Sequence, residues 1–94
     1  MNILSQDEKI LVNYDNVDSL YIQKMYQQYS HPDTWWEIRA MHTTTSDVLA
    51  KFDDESECTK VFYNVIRQIC EQKKNIIFIK PVEFKELNSF MQET

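Results

Sequence analysis

Apolar and polar positions alternate with a period of two through most of the first half of the chain, the pattern of half-buried strands. Ile3-Leu4-Ser5 opens a short strand, and Gln6-Asp7-Glu8-Lys9 makes a polar turn. From Ile10 to Tyr14 the side chains of Ile10, Val12 and Tyr14 share one side. Asp15-Asn16 form a turn, and strand character resumes from Val17 to Gln23, with Leu20 and Ile22 on one face and Val17, Ser19 and Tyr21 on the other. Lys24 to Thr34 has no clean period and ends in Pro32-Asp33, so it reads as a long hairpin connection into whose start the strand can run on. Trp35 to Met41 and Asp47 to Phe52 are the next two strands, joined by a turn over His42-Thr43-Thr44-Thr45-Ser46. Trp36, Ile38 and Ala40 fall on one face of the first, and Val48, Ala50 and Phe52 on one face of the second.

The period then changes. Asp53-Asp54-Glu55-Ser56-Glu57 is a helix start: an Asp cap accepts free backbone N–H groups, Asp54 with Glu57 resembles a capping box, and further acids suit the positive end of the helix dipole. Cys58, Val61, Phe62, Val65, Ile66 and Ile69 follow at helical spacing, so the main helix spans about 54–73. Asn75 takes the position after the helix that glycine usually fills. Ile76 to Ile79 is a last buried strand stopped by Pro81, and Phe84, Leu87 and Met91 space as a short terminal helix. The expected fold is one α+β domain over 1–94, a small antiparallel sheet of four or five strands with the helix on one face.

Composition narrows function more than fold. The chain has 94 residues and no glycine, where average usage of about 7% would supply six or seven. Motifs that need a residue without Cβ are therefore excluded: the P-loop, the dinucleotide fingerprint, the Gly-x-Ser-x-Gly elbow and the EF-hand loop. A net charge of −5 disfavours general binding to nucleic-acid phosphates and suits a partner with a basic surface. The longest apolar run, Ile76-Ile77-Phe78-Ile79, is far short of a membrane span, and the first residues carry no secretory signal. A cytosolic chain with reduced thiols is expected. Cys58 and Cys70, separated by roughly 18 Å of helix, are out of reach of one another.

Candidate chemistry is sparse. His31, His42, Cys58 and Cys70 have no metal-ligand spacing, so no metal or cofactor is expected. Cys58 at a helix start invites a low thiol pKa, but Asp53, Asp54, Glu55 and Glu57 oppose it, and a small core residue is the simpler reading. Capping likewise accounts for Asp53-Asp54 better than acid–base catalysis does.

Two adjacent tryptophans cannot both face the helix. With Trp36, Ile38 and Ala40 inward, Trp35, Glu37, Arg39 and Met41 face away, and a one-residue shift of register exchanges the tryptophans without removing the outward one. Leu49, Tyr21 and Val17 join Trp35 and Met41 in a patch around Arg39, extended by Tyr26, Tyr29 and His31 from the connection. Trp, Tyr and Arg are the types enriched at protein-interface hot spots. Two occupants of that face stay open: a partner or second copy of the chain, or the chain's own Phe84, Leu87, Phe90 and Met91 folded over it.

Four stretches, Ile3 to Asp7, Tyr14-Asp15-Asn16-Val17, Val48 to Glu55, and Asn75 to Pro81, resemble small proteins encoded by bacteriophages and mobile elements of Gram-positive bacteria. The likeness covers about residues 2–81 through short motifs, and the 26–34 connection is longer than the family's hairpin. It implies an accessory protein that binds and blocks a host protein, a class that includes anti-CRISPR inhibitors. The expectation is thus a non-enzymatic, cytoplasmic interaction protein, binding a host protein or forming a homodimer through its exposed sheet face. It contacts neither nucleic acid nor membrane directly. The alternatives are an acidic nucleic-acid mimic using Asp15, Asp18, Asp53, Asp54, Glu55 and Glu57, and, less favoured, a small ligand-binding protein or enzyme.

Overall fold

A computed structural model of the chain describes residues 1–27, 34–72 and 75–79. Along the chain run β1 (Asn2–Leu4), β2 (Leu11–Asn13), a 3-10 turn (Tyr14–Asn16), β3 (Ser19–Tyr26), β4 (Thr34–His42), β5 (Thr45–Phe52), α1 (Glu55–Glu71) and β6 (Ile76–Phe78). The α+β class holds, but the strands form two three-stranded sheets, ordered β2-β1-β6 and β3-β4-β5, rather than one sheet of four or five. The reason lies at β1, whose two edges are both filled. β2 pairs antiparallel on one side, with Ile3 opposite Val12, and β6 pairs parallel on the other, with Ile3 opposite Ile77. The 3-10 turn, capped by the Asn13 side chain on the Asp15 N–H, then leads the chain away from β2, so that β3 pairs with β4 instead. The expected terminal helix over 82–91 lies outside the described residues.

One core joins the layers. Ile3, Val12 and Ile77 contribute from the first sheet with Ile79 just past β6, Ile38, Ala40, Leu49, Ala50 and Phe52 from the second, and Cys58, Val61, Val65 and Ile69 from α1. The helical spacing of the last four is what lets α1 lie across the inner face of β3-β4-β5 with its polar side to solvent. Asp54 caps α1 as expected, accepting from the Glu57 N–H at 3.1 Å. The helix closes at Gln72, left-handed at φ 53°, and not at Asn75; Asn75 instead accepts the Asn2 N–H with its carbonyl, tying β6 to the start of β1.

The chain lacks glycine, and Glu8, Thr43 and Gln72 take the positive φ values that glycine would take cheaply. The turn at Glu8 is held by Ser5, which is 2% exposed: its backbone carbonyl accepts the Glu8 N–H, and its hydroxyl accepts the Ile10 N–H and donates to Asp7. Thr43 turns the β4–β5 hairpin, which is tighter than the sequence suggested because His42 and Thr45 already pair. Asp18 anchors that turn by accepting the Thr43 N–H at 2.6 Å.

Two register features decide what each face of the second sheet carries. β3 extends through Tyr26, so the strand runs on into Lys24 to Tyr26, the start of the segment read as a connection. β5 has a bulge: Ile38 pairs with Ala50 and Arg39 with Val48, leaving Leu49 as the extra residue. Leu49 and Ala50 both turn inward, at 1% and 3% exposure, and every residue before the bulge changes face.

Candidate functional site

The outer face of β3-β4-β5, turned away from α1, is built from alternate residues of three strands. β4 contributes Trp35, Glu37, Arg39 and Met41. Across from them stand Met25, Gln23, Tyr21 and Ser19 of β3. On the other side Lys51 opposes Glu37, Val48 opposes Arg39 and Ser46 opposes Met41.

Glu37 lies at the centre of this face and is only 3% exposed. A carboxylate removed from water needs its oxygens filled. The Trp35 indole Nε1 donates to Oε2 at 2.9 Å, and Arg39 donates to Oε1 from Nε at 2.8 Å and Nη2 at 2.7 Å. Arg39 Nη1 reaches on to the Ser46 hydroxyl at 2.9 Å. Lys51 places its ammonium 5.4 Å from the centroid of the Trp35 ring, within range of a cation–π contact. A chain of polar contacts thus runs along and across the face, and each link fixes the rotamer of its neighbour. Sequence reasoning put Glu37 on this face but gave it no role. Its signal was present as Trp-x-Glu-x-Arg, two donors flanking an acid at the spacing of one strand face.

The sequence-derived patch is only partly assembled. Trp35, Arg39, Tyr21 and Met41 share the outer face, Tyr21 directly opposite Arg39 and Met41 38% exposed. Leu49 is not on it, because the bulge turns it into the core, and Val48, expected inward, takes the outer position beside Arg39. Val17 packs against the core cluster from the end of the 3-10 turn. Tyr26 has the strand parity of Leu20 and Ile22, so it projects from the helix-side face of β3, 62% exposed. Tyr29 and His31 lie outside the described residues.

At the Trp35 end an open groove of about 650 Å³ is lined by Gln27, Thr34, Trp35, Lys51 and Asp53. Its described walls are mostly polar and charged. His42 is engaged elsewhere, its Nε2 3.0 Å from Asp47 Oδ2 and its Nδ1 3.3 Å from the Asn16 carbonyl. It ties the 3-10 turn to the β4–β5 hairpin. Among the described residues no group of three or more His, Cys, Asp or Glu side chains is close enough to hold a metal ion. Cys58 is fully buried, and burial first, then Glu55 and Glu57, push its thiol up to about 11. It is a core residue in its protonated form, whereas Cys70 is exposed.

The six acids considered for mimicry of nucleic acid separate into two groups. Asp18 precedes Ser19, which pairs with Met41, whereas Asp53 follows Phe52, which pairs with Trp36. About 20 Å of β4 lies between the two ends. Two members are occupied locally, Asp54 as the helix cap and Asp18 at the hairpin turn.

No helix among the described residues is long and apolar enough to cross a membrane. Compared with known proteins, the chain matches no family model, no curated protein and no solved structure.

Proposed function

We propose that this chain is a non-enzymatic binding protein that engages a partner protein through the outer face of β3-β4-β5. Trp35, Arg39, Tyr21 and Met41 are its contact residues, with Val48 in the place first given to Leu49. The observation that carries this reading is the buried Glu37. A carboxylate saturated by Trp35 and Arg39 holds two hot-spot residue types in fixed rotamers, so less side-chain freedom remains to be lost on binding. The partner we propose is a host protein in a bacterial cytoplasm, blocked by a phage or mobile-element product acting as an anti-CRISPR or another defence antagonist. That part rests on the resemblance to phage and mobile-element proteins, and the net charge of −5 is compatible with it.

The test is capture of a binding protein from bacterial lysate by the tagged chain, repeated with Trp35→Ala and Met41→Asp. We expect capture to fall about tenfold or more in each variant, with Met41→Asp unfolding within a few degrees of the parent and Trp35→Ala, which strips Glu37 Oε2 of its donor, destabilised by about 1–3 kcal/mol but still folded at the temperature of capture. Capture that survives both substitutions sinks the surface. Capture that fades steeply with salt and survives Trp35→Ala transfers the role to the acidic groups.

A further inference from the structure

The two edges of sheet β3-β4-β5 are not alike. At β5 the Gln6 backbone N–H donates to the Leu49 carbonyl at 2.7 Å, and the Gln6 side-chain carbonyl accepts the Lys51 N–H at 3.1 Å. That edge is capped. β3 pairs with β4 on one side and, among the described residues, with no strand on the other. It is eight residues long, has no proline, and pairs with β4 without a bulge. Alternate backbone N–H and C=O groups along it therefore point away from β4, and such an edge accepts another extended chain unless something blocks it.

The sequence of β3 is itself complementary to that edge. When two copies pair antiparallel about Tyr21, each Tyr21 stands opposite the other. Leu20 then faces Ile22 of the second copy, Ser19 faces Gln23, and Asp18 faces Lys24. An exposed acid meets an exposed base at both ends, apolar meets apolar on the helix side, and polar meets polar on the outer side. Asp18 uses Oδ2 for the Thr43 N–H, which leaves Oδ1 for the incoming ammonium. Lys24 has no charged partner among the described residues. Centring the pair on Ile22 instead sets Lys24 against Leu20 and Asp18 against Tyr26, which loses both charge pairs. Centring between two residues puts the two α1 layers on opposite sides of the joined sheet.

We propose that the chain forms a two-fold dimer through β3, joining two three-stranded sheets into one of six strands. The dyad is perpendicular to the sheet, so both outer faces look the same way. Arg39 and its counterpart then lie three strand spacings apart, about 14 Å. The resulting surface presents the Trp35–Glu37–Arg39 group twice.

Sedimentation equilibrium over a concentration series tests this directly. The expected result is a dimer at the upper concentrations, weakened about tenfold or more by Lys24→Glu and likewise by Asp18→Lys. The double variant Asp18→Lys with Lys24→Glu regains parental association, and an equimolar mixture of the two single variants forms the heterodimer. Because Asp18 also anchors Thr43, a second measurement stands apart from it. In a Cys70→Ser background, Tyr21→Cys cross-links between chains on oxidation and Gln23→Cys does not. A monomer at every concentration up to about 1 mM overturns the proposal. So does a dimer indifferent to Lys24→Glu, or one lost with Trp35→Ala. Partner capture is a separate readout, so failure here leaves the outer-face reading standing, and failure there leaves the dimer standing.

Discussion

The two faces of β3-β4-β5 are made from the same three strands but are held together by different forces. On the inner face Ile38, Ala40, Leu49 and Ala50 are at most 3% exposed and meet the apolar stripe of α1. Shape and the removal of apolar area from water dominate there. On the outer face a residue equally hidden, Glu37, is a carboxylate, and directed bonds from Trp35 and Arg39 keep it there. At its buried centre the inner face carries no charged side chain among the described residues. The outer face is organised around one. Burial alone therefore does not identify core in a small α+β domain; what matters is which atoms fill the neighbouring space.

Substitutions separate the two faces by size of effect. Leu49→Ala should destabilise the fold by about 2–5 kcal/mol, and Leu49→Asp should abolish cooperative unfolding, as circular dichroism melts would reveal. A Leu49→Asp variant as stable as the parent would mean that the bulge does not direct this side chain inward. Arg39→Ala removes two of the three donors to Glu37 and should destabilise by about 1–3 kcal/mol in denaturant titrations. Glu37→Gln in the same background should recover part of that loss, because the lost donors then face a neutral amide. Absence of recovery would detach Arg39 from Glu37. Thr43→Gly acts on the turn common to both faces and should stabilise by about 1 kcal/mol, since a β-branched residue is held at φ 51°.

The smallest effects are those of pH. The Asp7 carboxyl is held below its ordinary value chiefly by the Ser5 hydroxyl and next by the Lys9 N–H. Its contribution to stability is present above the unfolded value of 3.8 and is lost as pH falls through the lowered folded value, so Asp7→Asn should flatten the acid limb slightly. Cys58 works in the opposite sense. With its thiol raised from 9.0 to about 11, the stability linked to it is full below pH 9 and is lost as pH rises towards 11. A thiol reagent at neutral pH should therefore titrate Cys70 quickly and Cys58 only on unfolding; two fast thiols would contradict the packing of α1.

Period and capping were legible in the sequence. The helix from Asp54, the inward Trp36-Ile38-Ala40 row and the outward Trp35 follow from spacing alone, since each depends on neighbours three or four residues away in a helix or two in a strand. What escaped depends on pairing between distant segments. Nothing in Asn2–Leu4 announces that Ile76–Phe78 will lie parallel to it, and that pairing is what divides the strands into two sheets. The bulge escaped for a related reason: Val48, Leu49 and Ala50 are all apolar, so hydrophobicity does not mark which one is extra. A polar residue in any of these places would have betrayed the change of face. Tyr26 was misplaced because an exposed strand end and a loop look alike in composition.

Gln6 has a consequence for how this chain meets copies of itself. A sheet open at both edges can add molecules at either side without limit, the geometry of a fibre. Here the Gln6 backbone and side chain occupy the Leu49 carbonyl and the Lys51 N–H of β5, which obstructs further pairing at that edge once the β3 sides have met. A single glutamine at the close of β1 thus sets a stoichiometric ceiling, and its replacement by proline would remove the N–H that enforces it.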